Sequence, residues 1–132
     1  MGKRKTRMDI LTTLSKILLP EEVFEYFTIT DISDNGTVVN IFLEEKDIIH
    51  KPLAGHEYEK NGFYEMMTIQ DYPIRGKKAL LNIKRRRWID KTTGKSIGND
   101  YKLVAEGTRH SVEFAAFLKE LLGGIPDYGP LA

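Results

Sequence analysis

The chain is expected to adopt an α+β fold, with N-terminal helices, a small antiparallel sheet built from hairpins, and a C-terminal helix packed against that sheet. Three observations predict it. Apolar residues recur at helical spacing near both ends, at Ile10, Leu14, Ile17 and Leu18 and again at Phe114, Phe117, Leu118, Leu121 and Leu122. Between these ends, Val39, Ile41 and Leu43 alternate with Val38, Asn40, Phe42 and Glu44, the period of a half-buried strand. Turn-forming clusters at 33–36, 73–76 and 90–95 divide the middle of the chain into hairpin-length pieces.

Each element has a local reason. Residues 1–7 (Lys3, Arg4, Lys5 and Arg7 among them) are too polar and basic to pack and are expected to form a flexible arm. The periodic stretch 8–19 predicts an amphipathic helix closed by Pro20, whose ring clashes with continued helix. Pro20 then opens a short helical segment over 21–26, its acidic first turn suited to the positive end of the helix dipole. Strands are predicted over 27–32 and 37–44 around Ser33-Asp34-Asn35-Gly36, with Asn-Gly signalling a type I′ turn. Residues 46–62, punctuated by Pro52, Gly55 and Gly62, read as a loop.

A third strand is expected over 63–70 and a fourth over 78–89. Gly94 in a left-handed conformation would close the hairpin loop 90–95, and a fifth strand would return over 101–105. Gly107 and Thr108 break the sheet, and a helix capped by a Thr or Ser within 108–111 runs to Gly123-Gly124. The expected organisation is a basic arm over 1–7, one domain over 8–122 and a loosely held tail over 123–132.

Composition narrows the class. With 41% apolar and 30% charged residues in 132, the chain reads as one soluble domain of cytoplasmic type. No apolar run approaches the ~18 residues that suggest a membrane-spanning helix, and no small-residue processing site follows the interrupted apolar stretch 10–19. The absence of cysteine excludes disulfides and thiolate metal sites.

Charge is unevenly spread. Residues 21–65 hold eleven acids and three bases, whereas 75–95 hold nine bases and one acid, a local net of +8 on a chain of net +1. Such a ribbon points to a polyanion or to an acidic protein surface as partner. On a continuous strand, Lys84, Arg86 and Trp88 would share one face and Arg85 and Arg87 the other. These residues, with Arg75, Lys77 and Lys78, are the expected phosphate contacts, and Trp88 and Arg109 the expected base or sugar contacts. The competing explanation is a charged sheet edge that blocks strand-to-strand aggregation.

His50, His56 and His110 lack a metal-binding pattern and read as surface histidines. The acids at 21, 22, 25, 44, 45 and 47 read as a solvated surface. No phosphate-cradling glycine loop, nucleophile elbow or recognisable Ser/His/Asp set is present, so no catalytic residue, metal or cofactor is expected.

The segment Ile-Gln-Asp-Tyr-Pro-Ile-Arg-Gly-Lys at 69–77, with the following strand and Lys-Arg-Arg-Arg-Trp at 84–88, resembles the N-terminal region of bacterial insertion-sequence transposases. That family carries an (I/L)xDLPIxG(K/R) turn in a zinc ribbon, then a strand ending in Arg-Arg before a metal-binding cysteine. Residues 105–119 are similar to the start of the helical DNA-binding segment that follows it, and the resemblance spans about residues 69–122. The family's cysteines have no counterpart here, since Ile89 and Asp90 follow the aromatic residue. The resemblance therefore implies a metal-free branch whose hairpins are held by packing. It also implies DNA binding at the element ends in support of transposition, with the RNase H-like catalytic domain on another polypeptide or beyond residue 132. The alternative is a protein-interaction module that docks a catalytic transposase subunit or self-associates through opposite charge.

Overall fold

A computed structural model of the chain describes residues 18–107 and 109–125. The basic arm over 1–7, nearly all of the helix expected over 8–19, Thr108 and residues 126–132 lie outside the described residues. Within them the fold is α+β. A short helix α1 (Val23–Tyr26) leads into the hairpin β1 (Phe27–Asp34) and β2 (Val38–Glu45). Then come β3 (Tyr58–Phe63), β4 (Met67–Ile74), β5 (Lys77–Lys84), β6 (Arg86–Asp90) and β7 (Lys95–Ile97), followed by helices α2 (Tyr101–Gly107) and α3 (Val112–Gly124).

The strands form two sheets rather than one antiparallel sheet. The first is four-stranded in the order β1-β2-β5-β4, and the second three-stranded in the order β3-β6-β7. The first sheet is mixed, because β2 and β5 pair in parallel from Val38↔Lys78 to Glu44↔Lys84. Two antiparallel hairpins, β1–β2 and β4–β5, lie side by side and meet through the strands with the fullest apolar faces: Val39, Ile41 and Leu43 on β2, and Ala79, Leu81 and Ile83 on β5. Local alternation selects the buried face of each strand. It carries no information on which strand lies beside it.

The strand expected over 78–89 is broken at Arg85, and its halves belong to different sheets. The buried apolar side chains Ala79, Leu81 and Ile83 and then Arg85 occupy odd-numbered positions, with Asn82 also enclosed between Thr68 and Asn40, and burial then moves to Trp88 and Asp90. The four consecutive basic residues therefore occupy a joint between sheets.

Other elements differ from expectation for traceable reasons. The third strand runs over Met67–Ile74 rather than 63–70, and part of the predicted loop 46–62 is the strand β3. β3 pairs with β6 at Tyr58↔Asp90, Glu59↔Ile89 and Lys60↔Trp88, so its extended form is supplied by a partner about thirty residues away. The fifth strand is the short β7, and the residues expected to return as a strand form the helix α2 instead. Asp100 starts that helix, its Oδ1 accepting a hydrogen bond from the Lys102 amide at 2.9 Å. The hairpin loop before β7 is as expected, with Gly94 at φ 75°.

Two turns exchange roles. At Asn35-Gly36 only the glycine has positive φ, at 98°, and the Asn35 Oδ1 instead accepts from the Thr37 and Val38 amides at 3.0 and 2.8 Å. The turn with positive φ at both central residues is Arg75-Gly76, at 50° and 79°, the backbone signature of type I′.

Helix α3 starts at Ser111, whose Oγ accepts from the Phe114 amide at 3.1 Å. Its stripe of Phe114, Phe117, Leu118 and Leu121 is buried and shares one core with Phe27, Ile41, Leu43, Leu81 and Ile83. Gly123 and Gly124 belong to the helix, and Ile125 packs on the core. The helix end approaches β4 so closely that a Cβ on Gly124 would lie 2.6 Å from Met67 Cε. No described helix is long and apolar enough to cross a membrane.

Candidate nucleic-acid interface

The cations expected to contact DNA fall into two groups that the fold separates. The first, at the joint after β5, is largely occupied by internal contacts. Lys84 is exposed, its Nζ 5.6 Å from the centre of the Phe63 ring. Arg85 is only 9% exposed and donates from Nη2 to the Asn99 carbonyl at 2.8 Å. Arg86 donates from Nε to the Glu45 carbonyl at 2.9 Å, has Nη2 3.5 Å from Glu44 Oε2, and lies over Phe63. Arg87 donates from Nε to the Asn61 carbonyl at 3.1 Å. Trp88 is 3% exposed. Arg85 and Trp88 are thus corrections to the expected surface, and the predicted face shared by Lys84, Arg86 and Trp88 is broken by the change of sheet. A guanidinium offers five donors, which suits it to tying carbonyls and carboxylates across such a joint.

Glu45 is the acid at the centre of this joint. It continues the inward face of β2 and is 1% exposed, which corrects its reading as part of a solvated acidic surface. One carboxylate oxygen accepts the Arg86 amide at 2.7 Å, and the other accepts from Asn99 Nδ2 and from the Tyr101 hydroxyl. Burial and then the Glu45 charge push the Tyr101 phenol far above its ordinary range.

The second group sits at the opposite end of β5, around the β4–β5 hairpin. A bulge between Asp71 and Ile74 turns Tyr72 outward, leaving it 66% exposed, the most exposed aromatic among the described residues. Ile74 packs against the core and anchors the turn, while Arg75 and Lys78 are exposed. Lys77 Nζ lies 2.6 Å from Asp34 Oδ2, and the Lys78 amide donates to the Thr37 carbonyl at 3.1 Å. These two contacts clamp the β4–β5 turn to the β1–β2 turn. The Lys77 ammonium and the Gly36 amide together hold the Asp34 carboxyl below its usual range.

Helix α3 begins beside this hairpin. Ser111 and Glu113 share a cleft of about 360 Å3 with Tyr72, Pro73 and Ile74. Arg109, two residues before Ser111, is exposed. The fold therefore groups Arg75, Lys77 and Lys78 on the β4–β5 hairpin and places Lys84, Arg85, Arg86 and Arg87 at the joint after β5. Tyr72 is the residue that the sequence reading missed. The only local signal was an aromatic immediately before proline, where the backbone is biased to the extended region; its exposure comes from the bulge.

The histidines are engaged singly. His56 Nδ1 lies 2.7 Å from Asp90 Oδ2, His110 Nε2 lies 2.8 Å from the Val104 carbonyl, and the His50 ring meets Tyr26 edge-on. Among the described residues no three His, Asp or Glu side chains are grouped to hold a metal ion. These features define a class: an α+β protein with a basic, aromatic-bearing hairpin on its surface. Compared with protein-family models, curated proteins and solved structures, the chain matches none.

Proposed function

We propose that this chain is a DNA-binding N-terminal component of a transposase, holding DNA at the element ends while cleavage and joining are carried out by a separate catalytic domain. The observation that carries the reading is the backbone of Arg75. At φ 50° it occupies a left-handed position that glycine or asparagine adopts readily. Residues other than glycine, asparagine and aspartate are disfavoured there by about 1–2 kcal/mol. The turn would form more easily with glycine or asparagine, and what an arginine adds is a cation carried at the tip of an anchored hairpin.

Exposed Tyr72 and Lys78 flank that tip, supplying a stacking surface and a second cation. Cations of this kind meet phosphates, and an exposed ring meets an unstacked base or a sugar. The transposase reading rests on the resemblance over residues 69–122, which contains the hairpin and the start of α3.

The test is a binding titration against duplexes carrying the terminal repeats of the encoding element, over a salt series. Arg75→Gly should weaken binding to all sequences and reduce the log–log salt slope by about one unit. Tyr72→Ala should lose about 1–3 kcal/mol with little change of slope. If both variants bind DNA normally but no longer associate with a catalytic transposase subunit, the hairpin is a protein-docking surface and the DNA reading fails.

A further inference from the structure

We propose that two copies of this chain pair about a two-fold axis, with the basic hairpin tip of each seated in an acidic cleft of the other. The cleft, of about 360 Å3, lies between the residues leading into α1, the end of β4 and the start of α3. Leu18, Pro20, Pro73 and Ile74 give it an apolar lining. Glu21, Glu22, Asp71 and Glu113 line it as well, and among the described residues no Lys or Arg does. Glu22 is already engaged by Ser111. Glu21 and Glu113 are exposed, and among the described residues neither has an ion-pair partner. A cleft of this charge repels phosphate and favours a cation on an apolar segment.

Apolar exposure is concentrated at the same place. Among the described residues the two most exposed large apolar side chains are Val112, at 80%, and Tyr72, at 66%. Tyr72 lines the cleft, and Val112 stands between Ser111 and Glu113, which also line it. Exposed apolar side chains gathered at a cleft and rimmed by charge mark a protein contact.

The matching cation belongs to the same patch. Arg75 directly follows Ile74, so one hairpin supplies a wall of the cleft and, at its tip, an exposed arginine. Among the described residues that arginine has no acid partner in its own copy. The tip is held in place by Ile74 in the core and by the Lys77–Asp34 ion pair. A patch with both signs side by side is self-complementary under a two-fold rotation, which lays the arginine of each copy on the acids of the other. The same rotation carries Tyr72 and Val112 of both copies into the contact. Exposed ion pairs are individually weak and screened by salt, so the pair forms at high protein concentration and low salt. The pairing does not rest on the DNA reading. Arg75 is the residue that both would use, so the test is made without DNA.

The test is sedimentation equilibrium of the whole chain over a concentration series. At low salt the mass should rise with concentration from 15.1 kDa towards twice that value. Salt of about 1 M should return it to a single chain. Arg75→Glu and Glu113→Arg should each stay monomeric where the wild type pairs, because each sets like charges opposite one another. Mixed in equal amounts they should regain the pair, since every contact then joins an arginine to a glutamate. Misfolding of either variant cannot produce that recovery. Val112→Glu, at an exposed site, should weaken pairing while the melting temperature stays near wild type. The proposal is overturned if the wild type remains a single chain at low salt and high concentration. It is equally overturned if the single variants pair as the wild type does, or if the equal mixture fails to regain the pair.

Discussion

The Tyr101 hydroxyl donates a hydrogen bond to the Glu45 carboxylate in the interior of the protein, where the two residues are 2% and 1% exposed. This contact ties α2 to the last residue of β2, and through the Arg86 amide to the first residue of β6. A buried carboxylate is tolerated here because three donors converge on it. Tyr101→Phe keeps the ring, and hence its stacking on Phe27 at 5.7 Å, while removing one donor. The expected loss is about 1–3 kcal/mol, read as a lower urea midpoint with unchanged m-value. A loss below about 0.5 kcal/mol would mean that the bond contributes little to holding the sheets together.

Trp88 provides a second test, because its place in the core predicts a structural effect. Opposite Lys60 on β3 and Ile97 on β7, it is the central residue of the smaller sheet. Trp88→Ala should cost about 3–5 kcal/mol as a large-to-small change in a buried site. A variant of wild-type stability with selectively weakened DNA binding would restore the tryptophan to the surface role read from the sequence.

The start of α3 should respond to acid. Glu22 accepts hydrogen bonds from the Ser111 amide at 2.9 Å and the Ser111 hydroxyl at 3.0 Å. The amide bond foremost holds its carboxyl below the usual value, against a smaller opposing effect of burial. A depressed folded-state pKa contributes stability that is present above the unfolded value of 4.5 and lost as pH falls through the folded one. Glu22→Gln should therefore flatten the wild-type loss of stability below about pH 4.5, measured by thermal melts at stepped pH. An unchanged acid limb would show that the Glu22–Ser111 contact is not coupled to folding.

Arg75→Gly separates stability from binding. Relief of the left-handed backbone should leave the hairpin as stable as wild type or raise its stability by up to about 1 kcal/mol, even as the basic tip is lost. A marked fall in the melting temperature would show that the arginine side chain holds the turn, and its conformation would then have a structural explanation.

Much of the fold was legible locally. The inward face of β2, the helical stripe from Phe114 to Leu121, the Ser111 cap and the Gly94 turn all follow from patterns within a dozen residues. The same holds for the hairpin at 73–76, because proline before a glycine-containing turn restricts the chain without help from elsewhere. The uneven charge was equally plain, since it is a count along the chain.

What the tertiary structure alone decided is where each charge ends. Lys84, Arg85, Arg86 and Arg87 read as one ribbon because sequence neighbours on a strand alternate between two faces. A break at Arg85 separates Lys84 on one sheet from Arg86 and Arg87 on the other, and the three arginine guanidiniums turn to the carbonyls of Asn99, Glu45 and Asn61. Those partners are fourteen to forty-one residues distant; Glu45 is brought near by the parallel pairing of β2 with β5, and Asn61 by the antiparallel pairing of β3 with β6. Tyr72 and Arg75 came to the surface for the complementary reason. The bulge and the left-handed turn are local, but their exposure depends on the anchoring of Ile74 in a core assembled from both ends of the described chain. Residue type and spacing determine what a side chain can bond, and long-range pairing determines what remains for it to meet.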